Sequence, residues 1–453
     1  MDWRKTTSVL VTALLLVGLV AGCGSSNAGK SAEKTLRMVS GAEPETLDPR
    51  KATGGAEMNV LRQIFEGLCT HDAKGEIVPG VAERWDISPD GLKYTFYLRE
   101  NAKWSNGDPV TAQDFEYAWK TALNPELGSR YAEQLYCLKN AEAYNNKKAA
   151  ADQVGVKAIN GRTLEVTLER PTPYFLSLVT FWTYYPVHQK TVEANDKWNT
   201  DPKTIISNGP FKMAGWTHNS KIQLVKNEHY WHKEVVKSEK VELVLTENNK
   251  TALDMFESNQ VDVVAAQPPK GEIPRLLKAN LIKTMPYPTT VYYFFNVTKA
   301  PFDNPKVRKA LSLALNRGMF SGAVLKAGEK PALAFVPFAL PDAKPGEEFR
   351  TAGGDLFKDS DVETAKKLLA EAGYPDGKGL PKITLLYFTN DNAKAMAEVA
   401  QEMWKKNLGV NVELANQEWK VYMKTCEQGD FQLAFMSWTS DFYDPMGVLE
   451  IGM

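Results

Sequence analysis

The sequence predicts an α/β protein folded in several lobes. Two stretches rich in alanine and leucine, Val362 to Ala372 and Ala393 to Leu408, each end at glycine and are each followed by an apolar strand, Ile383 to Tyr387 and Val410 to Leu414. That alternation builds layered α/β units. Val156 to Ile159 and Thr163 to Leu168 flank Asn160-Gly161, a strong hairpin signal. Length supplies the third observation, since 453 residues are more than one core organises, and about three lobes are expected.

In chain order, Arg4-Lys5 precede an apolar run from Val9 to Val20, shorter than the ~20 residues a membrane span requires. The run closes on Val20-Ala21-Gly22-Cys23, small residues before a cysteine, as in a secretory signal. This resembles the lipobox of bacterial lipoproteins, which implies residues 1–22 as signal peptide and Cys23 as the lipidated first residue. Residues 23–34 then read as a lipidated cysteine and flexible tether, because small polar residues gain too little to offset the entropy of ordering. The three remaining cysteines, Cys69, Cys137 and Cys426, show neither a disulfide framework nor a zinc pattern and allow one bridge at most.

Thr35 to Val39 reads as the first strand, and Met58, Leu61, Ile64, Phe65 and Leu68 recur at helical spacing. Tyr94, Phe96 and Leu98 alternate with polar residues as in a half-buried strand. Thr111 to Asp114 has the form of a capping box opening a helix over Phe115, Ala118, Trp119 and Ala122. Asn227 to Trp231 reads as strand-like, and Asn304-Pro305 as the cap and first residue of a helix to Asn316. Phe431 to Trp438 reads as an apolar strand that breaks at Asp444-Pro445, because the residue before proline is driven away from helix. Asp441 at that break, between aromatic residues, suits a positively charged ligand. On these residues alone the plainer reading is an ordinary Asp-Pro turn over a core tryptophan.

Several functions fall away on composition. With 54 basic and 55 acidic residues the net charge is -1, which gives no footprint for nucleic acid. No HExxH, GxSxG, GxGxxG or P-loop is present, so a hydrolase is the weaker reading and any ATPase must be a separate subunit. Asp441 with Asp444 as an acid/base pair lacks any visible device to split their pKa values. His71, His188, His218, His229 and His232 form no recognisable metal spacing, so no metal and no cofactor are expected.

The run from Ala82 to Asp114 (AERWDISPDGLKYTFYLRENAKWSNGDPVTAQD) resembles the signature of the peptide-type extracellular solute-binding proteins that feed ABC importers. Asn208-Gly-Pro-Phe211, Asn227 to Trp231, Asn296 to Phe302, Val307 to Arg317, Gln417-Glu-Trp419 and Asp441 to Pro445 follow in the order of that family. The resemblance covers essentially the whole mature chain. It implies a periplasmic-binding-protein-like, three-lobed fold with the ligand between lobes. Lobe I would be discontinuous over 35–58 and 186–287, lobe II inserted over 59–185, and lobe III would occupy 288–453. Family members continue well beyond the Asp441 motif, so the sequence reads as a fragment whose third lobe is truncated.

The resemblance also implies a role. The protein would be a monomeric, non-enzymatic lipoprotein, held outside the cytoplasmic membrane through Cys23, that delivers oligopeptides to the permease of an ABC importer. Asp441 matches the aspartate that pairs with the ligand's N-terminal ammonium. Trp438 and Trp419 match aromatic cleft residues, and Tyr131 a second-lobe tyrosine that meets the ligand on closure. Ser437 and Thr439 would offer backbone groups to the peptide, and Tyr287 and Tyr292 would bracket the hinge. Other members bind dipeptides, murein or signalling peptides, nickel or haem. Phe435, Cys426 and Ala393 stand where close relatives carry basic side chains for the ligand's C-terminus, so the resemblance leaves peptide length open.

Overall fold

The structure is a computed structural model that describes residues 34–450 except 266 and 345. The expected signal peptide, Cys23 and the tether up to residue 33 lie outside the described residues. The strands in chain order begin with β1 (Thr35–Gly41), β2 (Cys69–His71), β3 (Ile77–Pro79), β4 (Ala82–Ile87), β5 (Lys93–Leu98), β6 (Val156–Asn160) and β7 (Thr163–Thr167). Then come β8 (Phe211–Thr217), β9 (Lys221–Lys226), β10 (Lys240–Leu245) and β11 (Val263–Val264). The last four are β12 (Thr289–Phe295), β13 (Ile383–Phe388), β14 (Val412–Gln417) and β15 (Leu433–Thr439).

They form a five-stranded sheet ordered β11-β1-β10-β9-β8, a four-stranded sheet β4-β5-β7-β6, a second four-stranded sheet β12-β15-β13-β14, and the ribbon β2-β3. The first sheet is assembled from distant parts of the chain, with β1 parallel to β10 in the register Thr35↔Lys240 through Val39↔Val244. The second is local and antiparallel. In β5, Tyr94, Phe96 and Leu98 are buried while their neighbours are not, as the alternation predicts. The expected hairpin at Asn160-Gly161 joins β6 to β7.

One continuous buried cluster, from Leu47 to Leu245 together with Phe442, runs through the first and second sheets, with Trp104, Trp119 and Tyr184 fully buried. A separate cluster packs the third sheet against the helices Pro305–Leu313, Val362–Glu371 and Asp391–Leu408. Trp404 on the last of these donates its indole N–H to Leu311 O at 2.8 Å. Asn304 caps Pro305–Leu313 by accepting from Lys306 N. Gly409 stops Asp391–Leu408 at φ +68°, where a Cβ would meet Asp376 O at 2.5 Å.

Two local readings need correction. The helix near residue 60 spans Gly55–Ile64, so Phe65 and Leu68 are buried beyond its end rather than on its face. Residues 227–231 form a turn, not a strand. Asn227 Oδ1 accepts from His229 N (3.1 Å) and its Nδ2 donates to Gly209 O (2.9 Å), a side-chain-closed turn that competes with the ladder. The aromatic residues there are structural: Tyr230 Oη and Trp231 Nε1 donate to buried Glu66 at 2.5 and 2.6 Å. Cys69, Cys137 and Cys426 are all free. Among the described residues, no helix is long and apolar enough to cross a membrane.

Candidate functional site

The site is built on β15, whose register with β12 decides which backbone groups face outward. Gln432 O accepts from Asn296 N at 2.8 Å, and Ser440 N donates to Pro288 O at 2.9 Å. Even-numbered residues therefore exchange hydrogen bonds with β12. By antiparallel alternation the odd ones turn their N–H and C=O groups to the other side. On that side β13 reaches only Leu433 and Ala434. Phe435 O is closed off by the Tyr422 hydroxyl. Beyond it, the outward groups of Ser437 and Thr439 form an open strand edge, which pairs readily with another extended chain. The side chain of Thr439 is tied to Thr289 (Oγ1 to Oγ1, 2.7 Å), which leaves its main chain as the available part.

The strand ends in a tightly folded loop. Ser440 Oγ donates to Phe442 O (2.6 Å), and Asp444 Oδ1 accepts from Met446 N (2.9 Å) at the start of the short helix Met446–Leu449. Asp444 is thus a turn-former, as an Asx before proline should be. Gly447 is required by close approach, since a Cβ there would lie 2.3 Å from Ser440 Oγ. The loop reaches across to the first buried cluster. Phe442 is 4% exposed within it and stacks on Tyr174 at 5.1 Å and 11°. Tyr443 N donates to Ser177 Oγ at 3.0 Å.

Asp441 stands where these segments meet. Tyr131 Oη is 3.4 Å from its Oδ1, and Gln134 Nε2 is 3.5 Å from its Oδ2. Both contacts are long for bonds to a carboxylate, which ordinarily close to about 2.5–2.9 Å. The group is under-bonded for its burial. Desolvation pushes its pKa up to about 7, against the lowering effect of Tyr131, and Glu450 and Glu133 add repulsion. Glu450 is itself pushed up to about 7 by burial and by Glu133 and Asp444, and Arg170 only partly offsets this. Glu133 is raised by burial as well. The pocket is acidic and short of cationic partners, so it favours an arriving positive charge.

The expected aromatic residues separate. Trp419 is 47% exposed at the start of the helix Trp419–Glu427, edge-on to Phe388 at 5.0 Å and stacked over Tyr422 at 6.0 Å. It stands beside the Phe435 end of the open edge, because Tyr422 bonds Phe435 O. Trp438 donates Nε1 to Gly447 O (2.9 Å) and packs with Val336, Leu340 and Val448, so its one polar group is already used. Tyr292 is edge-on to Phe335 at 5.3 Å, on the face of β12 shared with Phe294. Tyr287 is 62% exposed in the segment leading into β12. Phe435 and Ala393 are core residues, 5% and 1% exposed.

Sequence reasoning missed Gln134, Glu133 and Glu450. The spacing of three from Tyr131 to Gln134 was visible. The chain there forms no long helix but the 3₁₀ turn Ala132–Leu135 with Tyr131 as its N-cap, which is too short to show a periodicity.

Three sheets, the first discontinuous in sequence, with the acidic pocket of Asp441 at the meeting point of two cores, fit a periplasmic-binding-protein fold. The family described as bacterial extracellular solute-binding proteins, family 5 middle, matches residues 76–452, and the chain belongs to that family, in its peptide-binding branch. It is 43% identical to the oligopeptide-binding protein OppA of Bacillus subtilis, over 99% of this chain and 84% of that protein. A periplasmic oligopeptide-binding protein from Borrelia burgdorferi superposes at TM-score 0.84 and 34% identity, covering 93% of this chain and 83% of that one. Haemophilus influenzae OppA in complex with the peptide RPPGFSPFR superposes at 0.81 with 34% identity, covering 93% and 83%. The unliganded open form of the murein-tripeptide-binding protein MppA superposes at only 0.65 despite 38% identity, with 93% and 81% covered. Another structure of Escherichia coli MppA superposes at 0.83 with 37% identity, covering 93% and 82%, so this chain matches that conformation better than the open form.

Proposed function

We propose that the protein captures extracellular oligopeptides and hands them to an ABC importer. One observation carries this reading: an under-bonded, partly buried carboxylate, Asp441, terminates an open strand edge. The ligand would lie along Ser437 and Thr439 as an added strand, a mode that engages the main chain and so tolerates many sequences. Its α-ammonium would pair with Asp441, Tyr131 would close over the pair from the opposite side, and Trp419 would cover side chains further along. Trp438 and Tyr292 would contribute ring faces, and Tyr287 would flank the passage into β12. Occurrence of the same fold with a bound peptide in Haemophilus influenzae OppA supports the ligand class.

The wider reading follows from the same motifs. Cys23 carries the lipid that holds the protein to the bacterial membrane, on its periplasmic side or outer face, and residues up to 34 form the tether. Lobe I comprises 35–58 and 186–287, lobe II 59–185, and lobe III begins at 288. The protein acts as a monomer without cofactor, metal or nucleic acid, and it performs no catalysis. The test is mass spectrometry of the material released when freshly purified protein is denatured, together with incubation in a peptide mixture. Intact peptides recovered in both arms support capture. Peptide fragments would favour a hydrolase, and release of a non-peptide ligand would assign another branch of the family.

A further inference from the structure

Beside Asp441 lies a second polar group whose bonding is incomplete. Gln134 is 8% exposed. Its backbone is pinned: its carbonyl accepts from the buried Tyr184 hydroxyl at 2.5 Å, and its N–H donates to Tyr131 O at 3.2 Å. Its Nε2 faces Asp441 Oδ2 at 3.5 Å, while its Oε1 is buried without a hydrogen-bond partner. The amide orientation follows from chemistry, because an ionised carboxylate only accepts and so draws the NH₂ end toward itself. Leaving an amide oxygen buried and unbonded costs about 1–3 kcal/mol, so native structures rarely keep one without a use.

We propose that Gln134 is a second ligand-binding residue, whose Oε1 accepts one N–H of the peptide's terminal ammonium while its Nε2 steadies Asp441. The inference rests on the peptide reading above and adds a specificity determinant to it. An ammonium carries three donors and no acceptor, more than one carboxylate oxygen can satisfy. Nε2 and Oε1 share one carbon, so Oε1 lies within one amide width of the Asp441 contact. Tyr131 is the residue that opens the 3₁₀ turn Ala132–Leu135 and Gln134 lies within it, the two tied by Gln134 N donating to Tyr131 O at 3.2 Å. One rigid turn thus supplies both contacts to the anchor. A primary ammonium fits this pair of acceptors, whereas an acylated terminus keeps a single N–H and would leave one of the two unbonded.

The test compares one tripeptide, Ala-Phe-Ala, with its des-amino analogue, measuring the affinity of each by displacement of a fluorescent peptide. The proteins are the wild type, Gln134→Met and Gln134→Glu. Methionine keeps the length and loses the acceptor, and is expected to weaken the free-amino peptide about tenfold while changing the des-amino analogue less than about twofold. Glutamate keeps an acceptor on the same stem and is expected to restore preference for the free amine. Equal losses for both peptides with methionine would make Gln134 merely structural and overturn the proposal, as would no loss for either. A wild-type protein that displaces for neither peptide would instead overturn the peptide reading itself.

Discussion

Tyr131 Oη lies 3.4 Å from Asp441 Oδ1, a contact between residues 310 positions apart that joins the first buried cluster to the end of β15. The distance is long, and what it brings together is costly. Two oxygens meet in a partly buried, acidic pocket, where Asp441 is pushed up to about 7 and the Tyr131 hydroxyl is also raised by burial and by that carboxylate. A site of this kind favours a ligand cation over the unliganded state.

The first consequence is a pH dependence of binding. An ammonium pairs with the carboxylate, not the acid, so affinity should rise as pH increases from about 5 to about 7. It should level off there and fall once the peptide amine deprotonates near pH 8. Titration calorimetry in buffers of different ionisation enthalpy should detect protons released on binding near pH 6. An affinity independent of pH across this range would mean that Asp441 is not the anchor.

The same pKa bears on stability with the opposite sense. Asp441 binds its proton more tightly when folded, at about 7 against an unfolded value of 3.8. Its contribution is therefore fully present below about pH 4 and is lost as pH rises toward 7. Asp441→Asn should raise the melting temperature of the ligand-free protein at about pH 8, by roughly 1–3 °C. An unchanged or lowered melting temperature there would contradict the desolvation account.

Phe442 holds the anchor loop in place by packing rather than by charge. Phe442→Ala removes the stack on Tyr174 and leaves a cavity in the first buried cluster, with an expected cost of about 3–4 kcal/mol. Denaturant unfolding should show that loss together with weaker peptide binding. Full stability with normal binding would mean that the loop is held by other contacts.

Trp419 should separate binding from folding. At 47% exposure its removal exposes little core, so Trp419→Ala should shift the melting temperature by less than about 2 °C and weaken peptides about fivefold or more. The outward N–H of Ser437 can be tested without breaking the ladder, because Ser437→Pro removes a donor that β12 does not use. Binding should fall about tenfold, measured by displacement of a fluorescent peptide. Unaffected peptide binding in the proline variant would exclude strand addition at this edge.

Much of this was legible in the sequence where the signal was local. Alternation of Tyr94, Phe96 and Leu98, the Asn160-Gly161 turn, the Asn304 cap and the glycines after residues 372 and 408 each report a short-range constraint. The motif order from Ala82 to Pro445 led to the family and to Asp441. Long-range outcomes were not legible. The open side of β15 follows from its register with β12, a pairing across about 140 residues that no local pattern encodes. Trp438 reads identically as a cleft or a packing residue until its indole N–H is seen on Gly447 O. Asn227 to Trp231 has strand composition but forms a turn, because the Asn227 side chain satisfies the backbone locally.

The central claim is that Asp441 binds the ammonium of a peptide. A double-mutant cycle tests it most directly, measuring by calorimetry one peptide with a free and with an acetylated amino terminus on the wild type and on Asp441→Asn. The account predicts that asparagine weakens the free-amino peptide about 10–100-fold and the acetylated one less than about threefold. Equal effects on the two peptides, or none on either, would contradict it.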